Sequence, residues 1–383
     1  MSPQSKKEYF KAVWLRYKKA TSRAEKAKLL DELCANCHFN RKYAIRRLRS
    51  FRITHRKKIK IKPGPKPQYS QPEFLAVLKE IWITANLPCS KRLKAILPVW
   101  LPAYQQEFGT LSLQILKKLA KISPASIDRV PHPVRCLYRG KGRCATKPGL
   151  LLKHHIPIQT GQWDERKPGF LETDTVHHCG TSMAGIYAVT TNTVDIATGW
   201  NEQRATYGIA HRDIFDQIKD IEKSLPFAIL GFDSDNGKEF INQTLLRYFL
   251  GRKIKFTRSR EYYKNDNAHI ENKNWTHIRQ WLGYRRFENP LIVGLLNDLY
   301  KKEWRLFHNF FMPSMKLQAK ERIASKTIKR HDKPKSPYQR ILQSKHISKQ
   351  TKEQLQKIFQ TLNPFKLRKT IDKKIAIIHK LAR

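Results

Sequence analysis

The middle of the chain carries an order of strands and helices that few folds accommodate. Three consecutive segments, 169–177, 184–192 and 197–204, have the composition and alternation of strands. They are followed by a helix at 209–224, a strand at 227–234, a helix at 240–250, a short strand at 254–257 and a long helix from about residue 267. Three sequential strands and then alternating helices and strands predict a mixed five-stranded sheet flanked by helices. A further helix, Leu291 to Phe311, is expected to pack on it.

The distribution of charge around this block points to a polyanionic partner. The chain of 383 residues has a formal net charge of +45 and a pI of about 10.2. Residues 160–300 contain 18 basic and 18 acidic residues, so the whole excess lies in the flanking regions. A neutral block between basic arms predicts a chemical core that its neighbours deliver to nucleic acid.

The sequence argues against a membrane or an exported protein. No window approaches 18 uninterrupted apolar residues, and residues 1–8 contain no apolar signal region. Six irregularly spaced cysteines in a chain of this kind indicate reduced thiols. We therefore expect a cytoplasmic, nucleoid-associated protein.

The N-terminal region, residues 1–58, predicts an all-α helix-turn-helix DNA-binding domain. Two amphipathic helices are followed by a break and a short helix with Ala44, Ile45 and Leu48 on its inner face. A small helical bundle with a solvated basic face is the alternative. The basic residues expected on the outer face of the short helix are Arg41, Lys42, Arg46 and Arg47.

The basic character continues into a linker and recurs in the C-terminal region. Residues 41–67 contain 12 Lys or Arg and no acid, and residues 59–70 form a Pro-rich linker. Because this run continues the short helix, phosphate contact is expected from Lys57, Lys58 and Lys60. Residues 71–131 predict a second helical domain, helix-turn-helix-like or a plain spacer, and residues 132–159 a basic linker. The basic region 313–383 is expected to be mainly helical.

Three carboxylates of the central block lie on, or directly after, its predicted strands and helices. Asp174 lies on the first strand, Asp235 lies in an Asp-Asn-Gly turn after a later strand, and Glu271 lies on a helix, with 35 residues between the last two. Clustered carboxylates repel by about 4 kcal/mol per pair at ~4 Å, so such a group normally holds a cation. Oxygen-only ligands favour hard cations such as Mg²⁺, and two such ions support phosphodiester displacement.

Pattern alone leaves rivals for these positions. Asp233 shares a strand face with Asp235, and Glu172 shares one with Asp174. Glu239 and Asp266 are also close in sequence, as a first-turn helix acid and a helix N-cap.

The motifs around the three acids resemble those of a known family. Three motifs, in this order and spacing, resemble the catalytic core of retroviral integrases and bacterial DDE-type transposases: Glu172-Thr-Asp174-Thr, Phe232-Asp-Ser-Asp235-Asn-Gly-Lys-Glu-Phe and Lys264-Asn-Asp-Asn-Ala-His-Ile-Glu271-Asn-Lys. The N-terminus offers helices where retroviral integrases have a His-His-Cys-Cys zinc unit, which is closer to the bacterial insertion-sequence enzymes.

The resemblance implies a specific function for residues 160–312. It implies an RNase H-like fold in which Asp174, Asp235 and Glu271 are the catalytic, metal-binding residues for two Mg²⁺ or Mn²⁺ ions. It further implies cleavage at the ends of a mobile element, attack of the freed 3′-OH on target double-stranded DNA, and a homodimer or higher homo-oligomer. Two alternatives remain: a non-catalytic sequence-specific DNA-binding protein derived from a transposase, and an RNase H-like nuclease.

Residues around Glu271 complete the set of predictions. Lys264, Asn267 and Lys273 are close enough in sequence to meet DNA phosphate, and solvated surface is the alternative for each. Trp275 and Ile278, one and two turns after Glu271, are expected in the core.

Overall fold

The structure is a computed structural model that describes residues 2–51, 68–129, 165–234, 237, 239–240, 242–258, 268–323 and 326–382. The chain divides into two compact units, Met1–Lys66 and Pro67–Arg383. None of the described helices is both long enough and apolar enough to cross a lipid bilayer.

The first unit contains the three helices that the sequence predicts. They are α1 (Pro3–Lys19), α2 (Arg23–Cys37) and α3 (Arg41–Ser50), and α2 ends at His38, whose φ is 53°. The Asn40 side chain accepts a hydrogen bond from the Lys42 amide and so begins α3. Apolar positions that recur at helical spacing form a common core of Phe10, Val13, Trp14, Leu29, Leu30, Leu33, Ala44 and Leu48.

The second unit is built on the five-stranded sheet. Its strands are β1 (Phe170–His177), β2 (Ala188–Asp195), β3 (Asn201–Tyr207), β4 (Gly231–Ser234) and β5 (Lys255–Arg258), in the order β3-β2-β1-β4-β5. Pairing is antiparallel between β1, β2 and β3, and parallel between β1, β4 and β5. The predicted mixed five-stranded sheet is therefore confirmed. Strands β2, β3 and β4 begin about four residues later than predicted.

Helices cover both faces of the sheet. On one face, Leu171, Phe232 and Phe256 pack with α8 (His211–Ser224) and α9 (Gln243–Gly251). The other face meets α10, which runs from Ala268 to Leu282 and contains a π-helical segment, Asn274–Arg279. Helix α11 begins at Leu291 and continues through π-helical segments to Phe311.

The remaining helices share one hydrophobic core with α10 and α11. Among the helices of the described ranges, four precede the sheet in this unit: α4 (Pro72–Thr84), α5 (Ser90–Phe108), α6 (Leu113–Lys121) and α7 (Pro124–Arg129). Three follow it: α12 (Pro337–Gln343), α13 (Lys349–Thr361) and α14 (Pro364–Leu381). Trp100 on α5 lies edge-on to Phe307, Phe311 and Phe365. The segments predicted as a second helical domain and as a C-terminal tail therefore pack together. The predicted boundaries of these domains stay an interpretation.

Two asparagines cover the outer edge of β3. Asn297 accepts from the Ala205 amide and donates to its carbonyl, both at 2.8 Å. Asn309, which is fully buried, makes the same pair of bonds with Asn201, both at 2.9 Å. The two amides take the place of a sixth strand, so this edge has no free backbone groups at these two positions.

A two-stranded ribbon interrupts the helical C-terminal region. It consists of β6 (Leu317–Ile323) and β7 (Lys326–His331), paired antiparallel. The helices expected in this region are present, but the sequence did not predict the ribbon.

Candidate active site

Strand β1 places its two acids on the face of the sheet that meets α10. The carboxylate of Asp174 accepts a hydrogen bond from the Thr175 amide at 2.7 Å and one from the side-chain amide of Asn274 at 2.6 Å. Because Asn274 lies one turn after Glu271 on α10, the Asn274 bond ties the first predicted acid to the helix that carries the third.

A row of side-chain amides fixes Asn274. Asn192, directly opposite Asp174 on β2, donates to the Asn274 oxygen at 2.7 Å. Asn192 in turn accepts from Asn201 at 2.8 Å and from Gln203 at 3.1 Å, both on β3. The side-chain amides of Asn274, Asn192 and Asn201 each donate and accept a hydrogen bond, so the orientation of the Asn274 donor toward Asp174 is set by the sheet behind it.

The electrostatics of Asp174 show which acids surround it. Burial raises the pKa of Asp174 to about 6, the two hydrogen bonds oppose that rise, and the negative charges of Glu239 and Glu271 add to it. Glu271 itself is exposed. Two of the three predicted catalytic acids are therefore electrostatic neighbours. Asp235 lies outside the described residues; β4 ends at Ser234, which pairs with Thr173, the neighbour of Asp174.

The rival acids on the two central strands have other partners. Glu172 is buried and accepts from the Ile270 amide at 3.0 Å, which holds the start of α10 against β1. Burial, with the charges of Asp233 and Glu271, raises the pKa of Glu172 to about 8. Asp233 is buried and accepts from the Thr257 hydroxyl at 2.5 Å. These contacts favour structural roles for Glu172 and Asp233.

Glu239 is the acid whose position sequence reasoning undervalued. It is buried and accepts from the Thr175 hydroxyl at 2.9 Å, next to Asp174. Its place four residues after Asp235 was the available signal, but that place equally suited a helix-start acid. The fourth rival, Asp266, lies outside the described residues.

The atoms of this site that could bind a metal ion are carboxylate oxygens. Within the described part of the chain, no three His, Cys, Asp or Glu side chains form a metal-binding group. The charges of Glu239 and Glu271 nevertheless add to the rise that burial causes in the pKa of Asp174, and a neighbouring cation would offset that repulsion. Oxygen donors of this kind suit a hard divalent ion such as Mg²⁺.

The predicted DNA contacts on α3 divide into two groups. Lys42 and Arg46 are exposed, and Arg41 is exposed and paired with Asp31. The guanidinium of Arg47 lies 4.7 Å from the ring centre of Phe10, so this side chain also packs the helix. The other predicted basic contacts, Lys57, Lys58, Lys60 and Lys264, and the polar Asn267 lie outside the described residues.

Two residues of α10 lie in places that differ from expectation. Lys273 is 8 % exposed, and its ammonium group lies 3.1 Å from the ring of His277, so a phosphate contact would require it to leave this position. Burial, with the charges of Arg92, Arg340 and Lys316, lowers its pKa to about 7. Ile278 is buried as predicted. The prediction for Trp275 was wrong, because it is 44 % exposed where the π-helical segment widens the turn.

Comparison with known proteins gives one sequence relative and a distant structural similarity. No family profile matches the chain. A solved structure similar to it is that of the HTLV-2 integrase catalytic core domain in complex with magnesium, in its dimeric form. This similarity covers 39% of the chain and 91% of the viral protein at 16% identity, with a TM-score of 0.29.

The sequence relative is the uncharacterized protein y4rM of Sinorhizobium fredii. It is 33% identical over 345 residues, which amount to 89% of this chain and 96% of y4rM. With this identity over nearly the whole length of both proteins, the chain belongs to the same protein family as y4rM.

Proposed function

We propose that this protein is a DDE-type transposase or integrase, a polynucleotidyl transferase with an RNase H-like core. The observation that carries the proposal is the hydrogen bond between Asp174 and Asn274, because it joins the first-strand acid to the helix of Glu271. Asp235 follows directly after Ser234, the last residue of the strand that runs parallel beside β1. Carboxyl ends of adjacent parallel strands meet at the same edge of a sheet, which is the arrangement such a site needs.

Asp174, Asp235 and Glu271 are the residues that would hold two Mg²⁺ or Mn²⁺ ions. When bound, such ions activate the attacking oxygen and stabilise the leaving oxygen of a phosphodiester. The side chains around Asp174 have a positioning role. The side-chain amide of Asn274 donates to one oxygen of the Asp174 carboxylate, and the Thr175 N–H donates to the other. Glu172 accepts from the Ile270 amide and so holds the first turn of α10, which carries Glu271.

The proposed reaction has two phosphoryl-transfer steps. In the first, water attacks a phosphodiester at the end of a mobile element, and the bond from phosphorus to the 3′ oxygen breaks, leaving a 3′-OH. In the second, that 3′-OH attacks a phosphodiester of target DNA, a new bond forms to phosphorus, and the target strand's 3′ oxygen leaves. The two ends of an element must be held together, so a homodimer or larger homo-oligomer acting on the nucleoid is part of the proposal.

The test uses the full-length protein with end-labelled duplexes taken from the DNA on either side of its gene, and with supercoiled plasmid as target. Strand cleavage and joining should require Mg²⁺ or Mn²⁺. Asp174→Asn, Asp235→Asn and Glu271→Gln should each abolish joining and leave duplex binding intact. The matched control is Asp213→Asn, an exposed acid on α8, which should keep full activity.

Three outcomes would contradict the proposal. Full joining by any one of the three carboxylate variants removes that residue from the catalytic set. Duplex binding without metal-dependent cleavage supports the non-catalytic DNA-binding protein instead. Cleavage confined to the RNA strand of an RNA–DNA hybrid supports the RNase H-like nuclease.

A further inference from the structure

The last helix of the chain, α14, has an exposed face made of lysines. Lys366, Lys369, Lys373 and Lys380 are all exposed, and their separations of 3, 4 and 7 residues follow the helical repeat. At 3.6 residues per turn they lie within a sector of about 60° around the helix axis. With a rise of 1.5 Å per residue they form a row about 21 Å long. We call these four residues the lysine stripe.

Ion pairing separates the lysine stripe from the other basic residues of the helix. Arg368 donates to both carboxylate oxygens of Asp372 at 2.8 Å, and the Lys374 ammonium donates to the carboxylates of Asp298 and Glu303 at 2.5 Å. Within the part of the chain that the structure describes, no acid pairs with a lysine of the stripe. Like charges one turn apart destabilise a helix. A polyanion bound along the stripe would therefore relieve a repulsion that no described acid relieves.

The other faces of α14 fix the helix to the second unit. Ile371 is fully buried in the core that α14 shares with α10 and α11. The Arg368 guanidinium lies 4.3 Å from the ring centre of Trp281 on α10. The His379 ring donates to the Leu282 carbonyl, at the end of α10, at 3.2 Å. Because these contacts already hold the helix, binding along the stripe requires little further ordering of the backbone.

The length and charge of the lysine stripe suit the phosphate backbone of a duplex. B-form DNA carries one negative charge per about 1.7 Å of its axis, so a row of about 21 Å can face several phosphates. Lysine binds phosphate as a point charge, without the bidentate geometry that reads base edges. Contacts of this kind hold and orient a duplex but carry no sequence information.

We propose that the lysine stripe of α14 is a DNA-binding surface that contacts the phosphate backbone of a duplex independently of its base sequence. This inference rests on the proposed function, because it takes DNA as the partner. It assigns to the C-terminal region a share of duplex binding within the second unit, which contains the proposed active site, whereas α3 belongs to the first unit.

The experiment measures duplex binding by full-length protein without metal, so that catalysis does not enter. Two quadruple variants remove the same charge, one from the stripe and the other from single exposed lysines on α4, α6, α8 and α13. They are K366Q/K369Q/K373Q/K380Q and, as the control, K79Q/K117Q/K223Q/K357Q. Losing four phosphate contacts should lower the slope of log K against log salt by about 3 to 4, and K369Q/K373Q should lower it by about 2. The control quadruple should leave the slope close to that of the parent protein. Duplexes of unrelated sequence should give the same changes.

The possible outcomes separate the two proposals. Equal loss of slope in the two quadruple variants overturns the stripe, because only total charge would then matter. An unchanged slope in the stripe variant, with strong binding by the parent protein, overturns the stripe and leaves the transposase proposal standing. A loss confined to one DNA sequence overturns the sequence-independent contact.

Two further results concern the parent protein. Loss of slope in the stripe variant alone, with a parent protein that binds DNA but does not cleave it, supports the stripe and contradicts the transposase. Absence of duplex binding by the parent protein overturns both. Circular dichroism and thermal unfolding of each variant establish that a change in slope reflects lost contacts in a folded protein.

Discussion

Asn274 donates a hydrogen bond of 2.6 Å to the carboxylate of Asp174, across 100 residues of sequence. This bond links β1 to the π-helical part of α10, which Arg279 also joins to β1 by donating to the His177 carbonyl at 2.8 Å. It leaves Asn274 as a positioning residue for the proposed metal ligand, because Asn192 fixes the other end of the same amide.

Replacing Asn274 with alanine should therefore weaken metal use more than DNA binding. Loss of a residue that orients a metal ligand typically lowers metal affinity or activity by about 10- to 100-fold. We expect Asn274→Ala to shift the Mg²⁺ concentration for half-maximal cleavage upward, with duplex affinity unchanged. The control is Asn272→Ala, an exposed asparagine on the same helix. An unaltered Mg²⁺ dependence in Asn274→Ala would remove it from this role.

His308 is expected to make the fold sensitive to acid. Its ring is 2 % exposed and stacks on His277 at 4.1 Å, and neither of its nitrogens has a hydrogen-bond partner among the described residues. Burial, and then the charges of Lys273 and Arg368, hold the pKa of His308 well below its usual value. The unfolded chain therefore binds a proton that the folded chain rejects as pH falls below about 6.5.

His308→Phe should stabilise the protein, and the gain should grow on acidification. Removing an unpartnered buried polar ring should raise the free energy of unfolding by about 1 kcal/mol at pH 8. The gain should increase by up to about 1.4 kcal/mol for each pH unit below 6.5. Denaturant unfolding at pH 8 and pH 5 measures both values. The exposed His346, changed to Phe, should show neither effect. A gain that is independent of pH would contradict the titration argument.

The two hydrogen bonds that Asn309 makes with the edge strand β3 are expected to contribute strongly to the stability of the protein. Asn309→Leu keeps the volume of the side chain but leaves the amide and carbonyl of Asn201 buried without these bonds. Each of the two lost bonds costs about 1 to 3 kcal/mol, so the free energy of unfolding should fall by about 2 to 6 kcal/mol. Denaturant unfolding measures the loss. Asn289→Ala, which removes one exposed bond, should cost much less.

The sequence predicted the parts of this fold whose patterns are local. The order of strands and helices was readable because each element has its own apolar period. The start of β2 was predicted too early, because the loop before this strand is held from a distance. Arg286 donates to the carbonyls of Cys179, Ser182 and Ala184, and no local pattern reveals a contact across about a hundred residues.

The ribbon and the surroundings of Asp174 were missed for related reasons. In the β6–β7 ribbon the apolar side chains of Leu317, Ile323 and Ile328 are exposed, and the sequence of the ribbon lacks the regular alternation of apolar and polar residues that marks a strand. The pairing of Asn192 with Asn274 depends on how α10 crosses the sheet, which sequence spacing does not encode. The outward turn of Trp275 follows from a π-helical segment, whereas the prediction assumed an ordinary helix. Asp174 and Glu271 were chosen over the neighbouring acids because the resemblance singled them out, and their catalytic role stays a prediction.

The exposed face of α3 and its packed face should respond differently to substitution. Lys42 and Arg46 are exposed, so K42Q/R46Q should weaken duplex binding and lower its salt slope by about 2. Folding of the unit should be unaffected, because neither side chain is buried. K11Q/K28Q removes the same charge from exposed positions on α1 and α2, and should leave the slope unchanged. Equal effects from the two pairs would show that α3 is not the surface that DNA contacts.

Substitution of Arg47 should mainly change the stability of the first unit. Its guanidinium lies over the rings of Phe10 at 4.7 Å, Phe39 at 5.3 Å and Tyr43 at 5.8 Å, and it donates to the Tyr43 hydroxyl at 3.1 Å. Cation–π contacts of this kind contribute about 0.5 to 1 kcal/mol each at partly exposed sites. Loss of the three contacts in Arg47→Ala should therefore lower the unfolding free energy of the first unit by about 1.5 to 3 kcal/mol. Thermal unfolding and duplex binding are measured on the same samples. A variant that loses duplex affinity while unfolding at the parent temperature would instead assign Arg47 to the DNA-contacting surface with Lys42 and Arg46.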